Sequence, residues 1–273
     1  HMEAASARLS ESYIKATSIF PLKEWISLLL SGKGQIRTIY LILSDTAVLC
    51  CDKRSRRKKM EVKKVGIIGA GVMGMGIAQK MICYDKEVIL VDNDASVVNS
   101  VKNRIQRNMM IARITNKDNT DIAHALSLLS VTDDYSALSG CDHIIENIPE
   151  NEDMKYEVYR KLSDIVSENC ICMANTSCIS ITKIAKWLGN SQNVIGVHFM
   201  NPVPLQKFAE VIKGNFTSDD TIEKVKSFLK EIEIDCTVIN DSVGFVSNRL
   251  SHLFMNEAIN LVMEGVATPE QID

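Results

Sequence analysis

Three glycines between an apolar run and a helix-like segment constrain this fold more than any other feature. The stretch reads VGIIGAGVMGMGIAQK, and its first apolar residues, 65–68, predict a buried parallel strand. Gly69, Gly71 and Gly74 then form GxGxxG at the strand-to-helix turn. In this pattern the first glycine makes the turn, the second lets the backbone approach a pyrophosphate, and the third allows close helix packing.

The residues around this loop strengthen its interpretation as a dinucleotide site. Val72 and Met73 begin the helix, whose free N–H groups would face the anion. A second strand, EVILVDND, ends at Asp92 about twenty residues later, where an acid accepts hydrogen bonds from the ribose hydroxyls. No Arg or Lys follows at once to bind a 2′-phosphate, so NAD is favoured over NADP. The alternative is a glycine turn that binds nothing.

Strand and helix patterns alternate from Met60 onward. They include the apolar segments DHIIEN, CICMANTS, NVIGVHF, FAEVI and DCTVI, separated by amphipathic stretches. This alternation predicts an α/β protein with a doubly wound Rossmann-type sheet over residues 60–243. Ligands bind such sheets at the carboxyl ends of the strands. No apolar run is long enough to span a membrane.

A histidine and a glutamate lie twelve residues apart in GVHFMNPVPLQKFAEVIKG. Imidazole titrates near neutral pH, so His198 held by Glu210 would be suited to take a proton from an alcohol. Both residues also have ordinary explanations. A histidine on an apolar strand is more often a core residue, and Glu210 would then be a solvated strand residue.

Taken together, the ordered motifs resemble the 3-hydroxyacyl-CoA dehydrogenase family, including its 3-hydroxybutyryl-CoA members. The resemblance runs from about Met60 to the C-terminus through ENIPENEDMK, ANTSCISIT, the histidine segment, VGFVSNRL and EGVATPEQID. It implies reversible NAD-dependent oxidation of a 3-hydroxyacyl-CoA. The implied catalytic residues are His198, Glu210, Ser177 and Asn248. The implied cofactor contacts beyond the glycine loop are Asp92, Glu150, Lys155 and Asn175.

Each of these assignments has a structural alternative. Ser177 would cap a helix that begins near Ile179, and Asn248 would be a surface helix residue. Lys155 would lie on the exposed face of a helix through Tyr159. Dehydrogenases of carrier-bound or free hydroxy acids, and an inactive NAD-binding remnant, are the alternative functions.

Residues 244–273 resemble only the start of the family's all-helical C-terminal domain. A helix is predicted from about Phe245 to Glu264 with a broad apolar face that lacks partners in the chain. Either the rest of the domain was lost or divided off, or the helix packs against another subunit. We therefore expect a homo-oligomer formed through this helix.

Residues 1–59 have no recognisable counterpart in the family. They carry 11 Lys and Arg against five Asp and Glu, mostly in KRSRRKK (53–59), which is interpreted as a linker rather than a nucleic-acid site. The segment QIRTIYLILSDTAVLCC predicts one or two strands. The eight cysteines are scattered, which favours a reducing, cytoplasmic location, and no His and Cys spacing suggests a metal.

Overall fold

The structure is a computed structural model that describes residues 62–116 and 120–273. The strands predicted before Met60 lie outside these ranges. The strands are β1 Lys64–Ile68, β2 Glu87–Val91, β3 Leu129–Thr132, β4 His143–Glu146, β5 Ile171–Ala174, β6 Val194–Phe199, β7 Phe208–Lys213 and β8 Asp235–Asn240. The helices are α1 Val72–Cys83, α2 Ala95–Asn116, α3 Ile122–Ser127, α4 Glu152–Ser163, α5 Ile181–Leu188, α6 Asp219–Glu231, α7 Ser247–Met263 and α8 Pro269–Ile272.

The strands form one sheet in the order β3-β2-β1-β4-β5-β6-β7-β8. The strands from β3 to β6 are all parallel, and the order reverses between β1 and β4, where doubly wound sheets bind their ligands. This arrangement confirms the predicted Rossmann-type fold. One feature was not predicted: β7 runs antiparallel to β6 and parallel to β8.

Helices on both faces explain why the central strands are buried throughout. β4 and β5 are buried along their whole length, as expected for parallel strands that are covered on each side. One core layer includes Ile77 of α1, Val101 of α2 and Val225 of α6, and the opposite layer includes Val158 of α4 and Ile184 of α5. In the described ranges no helix combines the length and apolar character needed to cross a membrane.

Helix α7 leaves the sheet domain with an apolar surface exposed. Leu253 and Phe254 keep 67% and 75% of their surface accessible, as the sequence predicted for this face. Phe245 is an exception, because it was expected on the same face but is 3% exposed and packs in the core beside α5. The helix begins at Ser247, and Phe245 precedes it with φ +52°, which turns its ring inward.

Candidate active site

The glycine loop lies at the carboxyl end of β1, and each glycine has a distinct steric environment. Gly69 has φ +89°, a conformation that favours glycine. A Cβ on Gly74 would lie 1.8 Å from the carbonyl oxygen of Gly69, so only glycine permits this helix-to-loop packing. A Cβ on Gly71 would meet nothing within 4 Å, so the backbone there faces open space that a pyrophosphate can enter.

The first turn of α1 and the end of β2 complete this surface. Gly71 is the N-cap and provides no side-chain cap, so the N–H groups of Val72 and Met73 are suited to an anion. Asp92 accepts hydrogen bonds from the amides of Ala70 (2.7 Å) and Asp94 (3.0 Å). Its carboxylate is thereby fixed beside the loop and retains lone pairs for ribose hydroxyls. The residues present therefore fit a dinucleotide.

Lys155 forms a buried ion pair. Its Nζ atom donates to Glu146 Oε1 at 2.6 Å and to the Ile148 carbonyl at 3.3 Å. The side chain is 0% exposed, so the interpretation of Lys155 as an exposed helix residue is wrong. Burial raises the pKa of Glu146, and the Lys155 ammonium opposes this effect. The pair holds the loop after β4, and contact between Lys155 and the cofactor stays a prediction.

Glu150 organises the loop that follows β5. Its Oε1 atom accepts hydrogen bonds from the amides of Ser177 (3.1 Å) and Cys178 (3.0 Å) and from the Thr176 hydroxyl. Burial raises the pKa of Glu150, but hydrogen bonds from Thr176 and from the amide and thiol of Cys178, together with the charge of Lys155, outweigh it and leave the pKa below its ordinary value. Helix α5 is capped by Ser180, so the alternative role of Ser177 as a helix cap is wrong.

Asn175 joins three strand ends. Its Nδ2 atom donates to Asn147 Oδ1 at 2.7 Å, and its Oδ1 atom accepts from the amide of Phe199 at 3.2 Å. The loops after β4 and β5 are therefore tied to the strand that carries His198. A cofactor contact by Asn175 stays a prediction.

His198 and Glu210 are opposite each other in the antiparallel pairing of β6 and β7. His198 Nδ1 lies 3.0 Å from Glu210 Oε2, and the two side chains are 12% and 3% exposed. The solvated-strand interpretation of Glu210 is therefore wrong. An ionised carboxylate only accepts, so we assign the proton to Nδ1. Nε2 then presents a lone pair toward the Ser177 hydroxyl, 3.4 Å away.

Glu210 also receives the N-terminus of α7. Its Oε1 atom accepts from the amides of Val246 (3.2 Å) and Ser247 (2.9 Å), and its Oε2 atom accepts from the Ser247 hydroxyl at 2.6 Å. Burial raises the pKa of Glu210, but hydrogen bonds from His198 and Ser247 outweigh it, so the pKa lies below its ordinary value. Sequence reasoning missed Ser247. Its one signal was its place beside Asn248 in VGFVSNRL.

Asn248 brings α7 to the loop after β5. Its Nδ2 atom donates to the carbonyl of Ser177 at 3.2 Å. The four residues predicted as catalytic are thus gathered at one place by three elements and a loop. His252, one turn later, is exposed. The Cys178 thiol donates to Glu150 at 3.3 Å, and burial together with that carboxylate raises its pKa, which disfavours a reactive thiolate.

A dinucleotide loop, a supported histidine and a doubly wound sheet define a nicotinamide-dependent dehydrogenase. Residues 64–242 match the family described as "3-hydroxyacyl-CoA dehydrogenase, NAD binding domain". Residues 244–273 match "3-hydroxyacyl-CoA dehydrogenase, C-terminal domain". The chain therefore belongs to the 3-hydroxyacyl-CoA dehydrogenase family, as its motifs indicated, and its cofactor is NAD.

Individual relatives agree with this assignment. The chain is 38% identical over 210 residues to the "Probable 3-hydroxybutyryl-CoA dehydrogenase" of Deinococcus radiodurans, which covers 77% of this chain and 76% of the relative. It is 35% identical to the mitochondrial hydroxyacyl-coenzyme A dehydrogenase of Mus musculus, and that match covers 79% of this chain and 71% of the relative. The chain also superposes on the crystal structure of (S)-3-hydroxybutyryl-CoA dehydrogenase from Ralstonia eutropha with a TM-score of 0.74. The two sequences are 36% identical, and the match covers 78% of this chain and 76% of that structure.

Proposed function

We propose that this chain catalyses the reversible, NAD-dependent oxidation of a 3-hydroxyacyl-CoA to a 3-oxoacyl-CoA, with His198 as the base. The observation that carries the proposal is that the two nitrogens of one imidazole ring have different partners. Nδ1 is held by a buried carboxylate at 3.0 Å, while Nε2 faces the Ser177 hydroxyl at 3.4 Å. A ring fixed in this way keeps one basic nitrogen directed at a single position. The names of the relatives above support an acyl-CoA substrate.

In this mechanism Nε2 of His198 removes the proton of the substrate hydroxyl. NAD, when bound, supplies the acceptor for the hydride that leaves the carbinol carbon. Positive charge then develops on the imidazole, and Glu210 stabilises it while keeping the proton of Nδ1 in place. In the reverse direction His198 returns the proton to the oxygen as a general acid.

Ser177 and Asn248 are proposed to hold the reacting oxygen. The Ser177 hydroxyl borders His198 Nε2, and Asn248 donates to the Ser177 carbonyl, so we expect both polar groups to face the substrate oxygen. Their O–H and N–H groups are able to donate to the oxygen as it becomes a carbonyl. Glu150 contributes indirectly, because it fixes the backbone of Ser177.

For the cofactor we propose two sets of contacts. The N–H groups of Val72, Met73 and Gly74 would hold the pyrophosphate above Gly71, where the backbone is open. Asp92 would accept from the ribose hydroxyls and repel a 2′-phosphate. Glu150 and Asn175 would frame the cofactor at the ends of β4 and β5, and Lys155, whose side chain is buried against Glu146, would act on the cofactor by holding the loop after β4.

The direct test follows NADH consumption with acetoacetyl-CoA. We expect turnover by the wild type and its loss in His198→Gln, with bound NADH retained. His124→Gln is the matched control, because His124 is an exposed residue that pairs with Asp85 and is not among the predicted site residues. Activity that survives in His198→Gln would refute the assignment of His198 as the base. NADH binding without turnover in the wild type would support the alternative of an inactive NAD-binding protein.

The acyl carrier is tested by comparing acetoacetyl-CoA with acetoacetyl-acyl carrier protein and free acetoacetate. We expect the coenzyme A thioester to give the highest kcat/KM, and a preference for either other substrate would contradict the proposal. A cytoplasmic location and a homo-oligomer formed through α7 also belong to this proposal. They derive from the cysteine composition and from the exposed apolar face of α7.

A further inference from the structure

Ser247 supplies two of the four hydrogen bonds that reach the Glu210 carboxylate. Its amide donates to Oε1 at 2.9 Å, and its hydroxyl donates to Oε2 at 2.6 Å. Oε2 is also the oxygen that lies 3.0 Å from Nδ1 of His198. Two donors, one from α7 and one from β6, therefore share a single carboxylate oxygen that is almost completely buried.

The two hydrogen bonds of Ser247 differ in what they require of residue 247. Every residue except proline supplies the amide, but only a hydroxyl-bearing side chain supplies the second bond. That bond is short, which is typical of an O–H donor to an ionised carboxylate. The side chain of Ser247 is thus specifically engaged with Glu210, and the helix start at this position does not require it.

Sharing an oxygen has a predictable chemical effect. A donor to a carboxylate stabilises its charge, so the carboxylate attracts a proton on a neighbouring group less strongly. Removing the hydroxyl of Ser247 would leave Oε2 with His198 as its only donor among the contacts described. The carboxylate would then stabilise a protonated imidazole more strongly.

We propose that Ser247 is a positioning residue that acts through Glu210. Its hydroxyl orients the carboxylate toward His198 and moderates how strongly Glu210 stabilises a proton on the ring. The effect on turnover rests on the proposed function, whereas the effect on the ring does not. Among the hydrogen-bonded contacts of the described residues, His198 is linked to two carboxylates: Glu210 on β7 directly, and Glu150 in the loop after β4 through Ser177.

The test is an NMR titration of the histidine rings in the full chain without substrate. The chain has five histidines, so the His198 signal is assigned by its loss in His198→Gln. In Ser247→Ala we expect the titration midpoint of that ring to rise by about half a unit to one unit, because one hydrogen bond to the carboxylate is lost. Ser247→Thr retains a hydroxyl and should restore the wild-type midpoint.

Ser251→Ala is the matched control. Ser251 lies one turn along α7, and its hydroxyl donates to the carbonyl of Asn248 rather than to the carboxylate. This variant should leave the ring titration unchanged. An unchanged midpoint in Ser247→Ala, or a failure of threonine to restore it, would overturn the proposal. Thermal unfolding of each variant identifies any that do not fold, and Ser247→Gly, which also removes the hydroxyl and should shift the ring titration in the same direction, replaces Ser247→Ala if that variant does not fold.

Turnover gives an independent second reading. In the oxidation direction the ascending limb of the pH–rate profile should move to higher pH in Ser247→Ala, because the base must be unprotonated. A shifted ring titration in a chain without turnover would refute the proposed function and leave the role of Ser247 standing. Turnover by the wild type together with an unshifted ring titration in Ser247→Ala would support the proposed function and refute the role of Ser247.

Discussion

His198 and Glu210 are cross-strand partners, and the carboxylate that holds the imidazole also holds the start of α7. Glu210 Oε2 lies 3.0 Å from His198 Nδ1, and Oε1 accepts from the amides of Val246 and Ser247. Negative charge at a helix N-terminus is favourable, so α7 stabilises the ionised form that His198 requires. The orientation of the proposed base and the docking of the C-terminal helix therefore depend on one side chain.

This dependence predicts the effect of Glu210→Gln. The amide keeps the shape of the side chain but loses the charge that supports a protonated imidazole, so kcat should fall by roughly 10²–10⁴ with a smaller change in KM. Steady-state kinetics with NADH and acetoacetyl-CoA measure this. Glu223→Gln, in an exposed ion pair on α6, is the control. Equal kcat values in the two variants would contradict the role of Glu210.

Asp92 should set the preference for NAD. In Asp92→Asn the hydrogen bonds to the ribose lose their ionic character, so NADH should bind about 10-fold more weakly. NADPH should gain relative to NADH because repulsion of the 2′-phosphate is removed. Dissociation constants from NADH and NADPH fluorescence test both effects. Asp94→Asn, two residues further along the chain, should change neither, and an unchanged ratio in Asp92→Asn would refute the role.

The buried pair of Lys155 and Glu146 predicts a strongly non-additive double-mutant cycle. Lys155→Met leaves a buried carboxylate without its partner and should lower the free energy of unfolding by about 3–5 kcal/mol. Lys155→Met combined with Glu146→Gln should recover much of that loss, because the uncompensated charge is removed. Urea unfolding followed by circular dichroism measures both. Losses that simply add would show that the two side chains do not interact energetically.

His143 predicts a pH dependence of stability. Burial lowers the pKa of its imidazole below the ordinary value of 6.5, and the ring packs edge-on against Phe228 at 4.9 Å. The unfolded chain therefore binds a proton at higher pH than the folded chain, so stability should fall as pH drops below about 6.5. His143→Phe keeps the ring contact and should flatten this slope in thermal unfolding between pH 5 and 7. The charges of Asp142 and Glu231 raise the pKa of the ring, and the charge of Lys224 lowers it. An unaltered slope in His143→Phe would exclude His143 as the cause.

The exposed face of α7 predicts self-association. Phe254 is 75% exposed, and Phe254→Glu should lower the average molecular mass measured by light scattering, because a charge opposes burial of this face. Ile114→Glu is the matched control, since Ile114 is 82% exposed but lies on α2. If Phe254→Glu and the wild type have the same mass, α7 is not the contact surface.

Local sequence was sufficient to predict where the glycine loop and Asp92 lie in the fold. The glycines, the strand before them and Asp92 are within one short βαβ segment, and their chemistry follows from backbone geometry that local sequence dictates. The same reasoning predicted the parallel sheet, because strands buried on both faces have continuous apolar runs.

Contacts between distant segments were less accessible to sequence reasoning. Lys155 belongs to an amphipathic helix, and nothing local indicates that its amine is buried against Glu146. Ser247 lies 37 residues from Glu210, and only the path of the chain through β8 into α7 joins them. Phe245 is apolar like the residues of the exposed helix face, but its backbone conformation directs its side chain into the core.

The sequence alone was enough to predict the Rossmann-type fold and the NAD loop, because strand periodicity and motif spacing are local properties of the chain. The family, and with it the paired histidine and glutamate, was indicated by the resemblance of the ordered motifs to known dehydrogenases. The reversal of β7 became visible only in the folded structure, and it places Glu210 directly opposite His198. The tertiary structure also decided that Glu210 is shared with Ser247 and α7, since hydrogen bonds between distant elements exist only after the chain has folded.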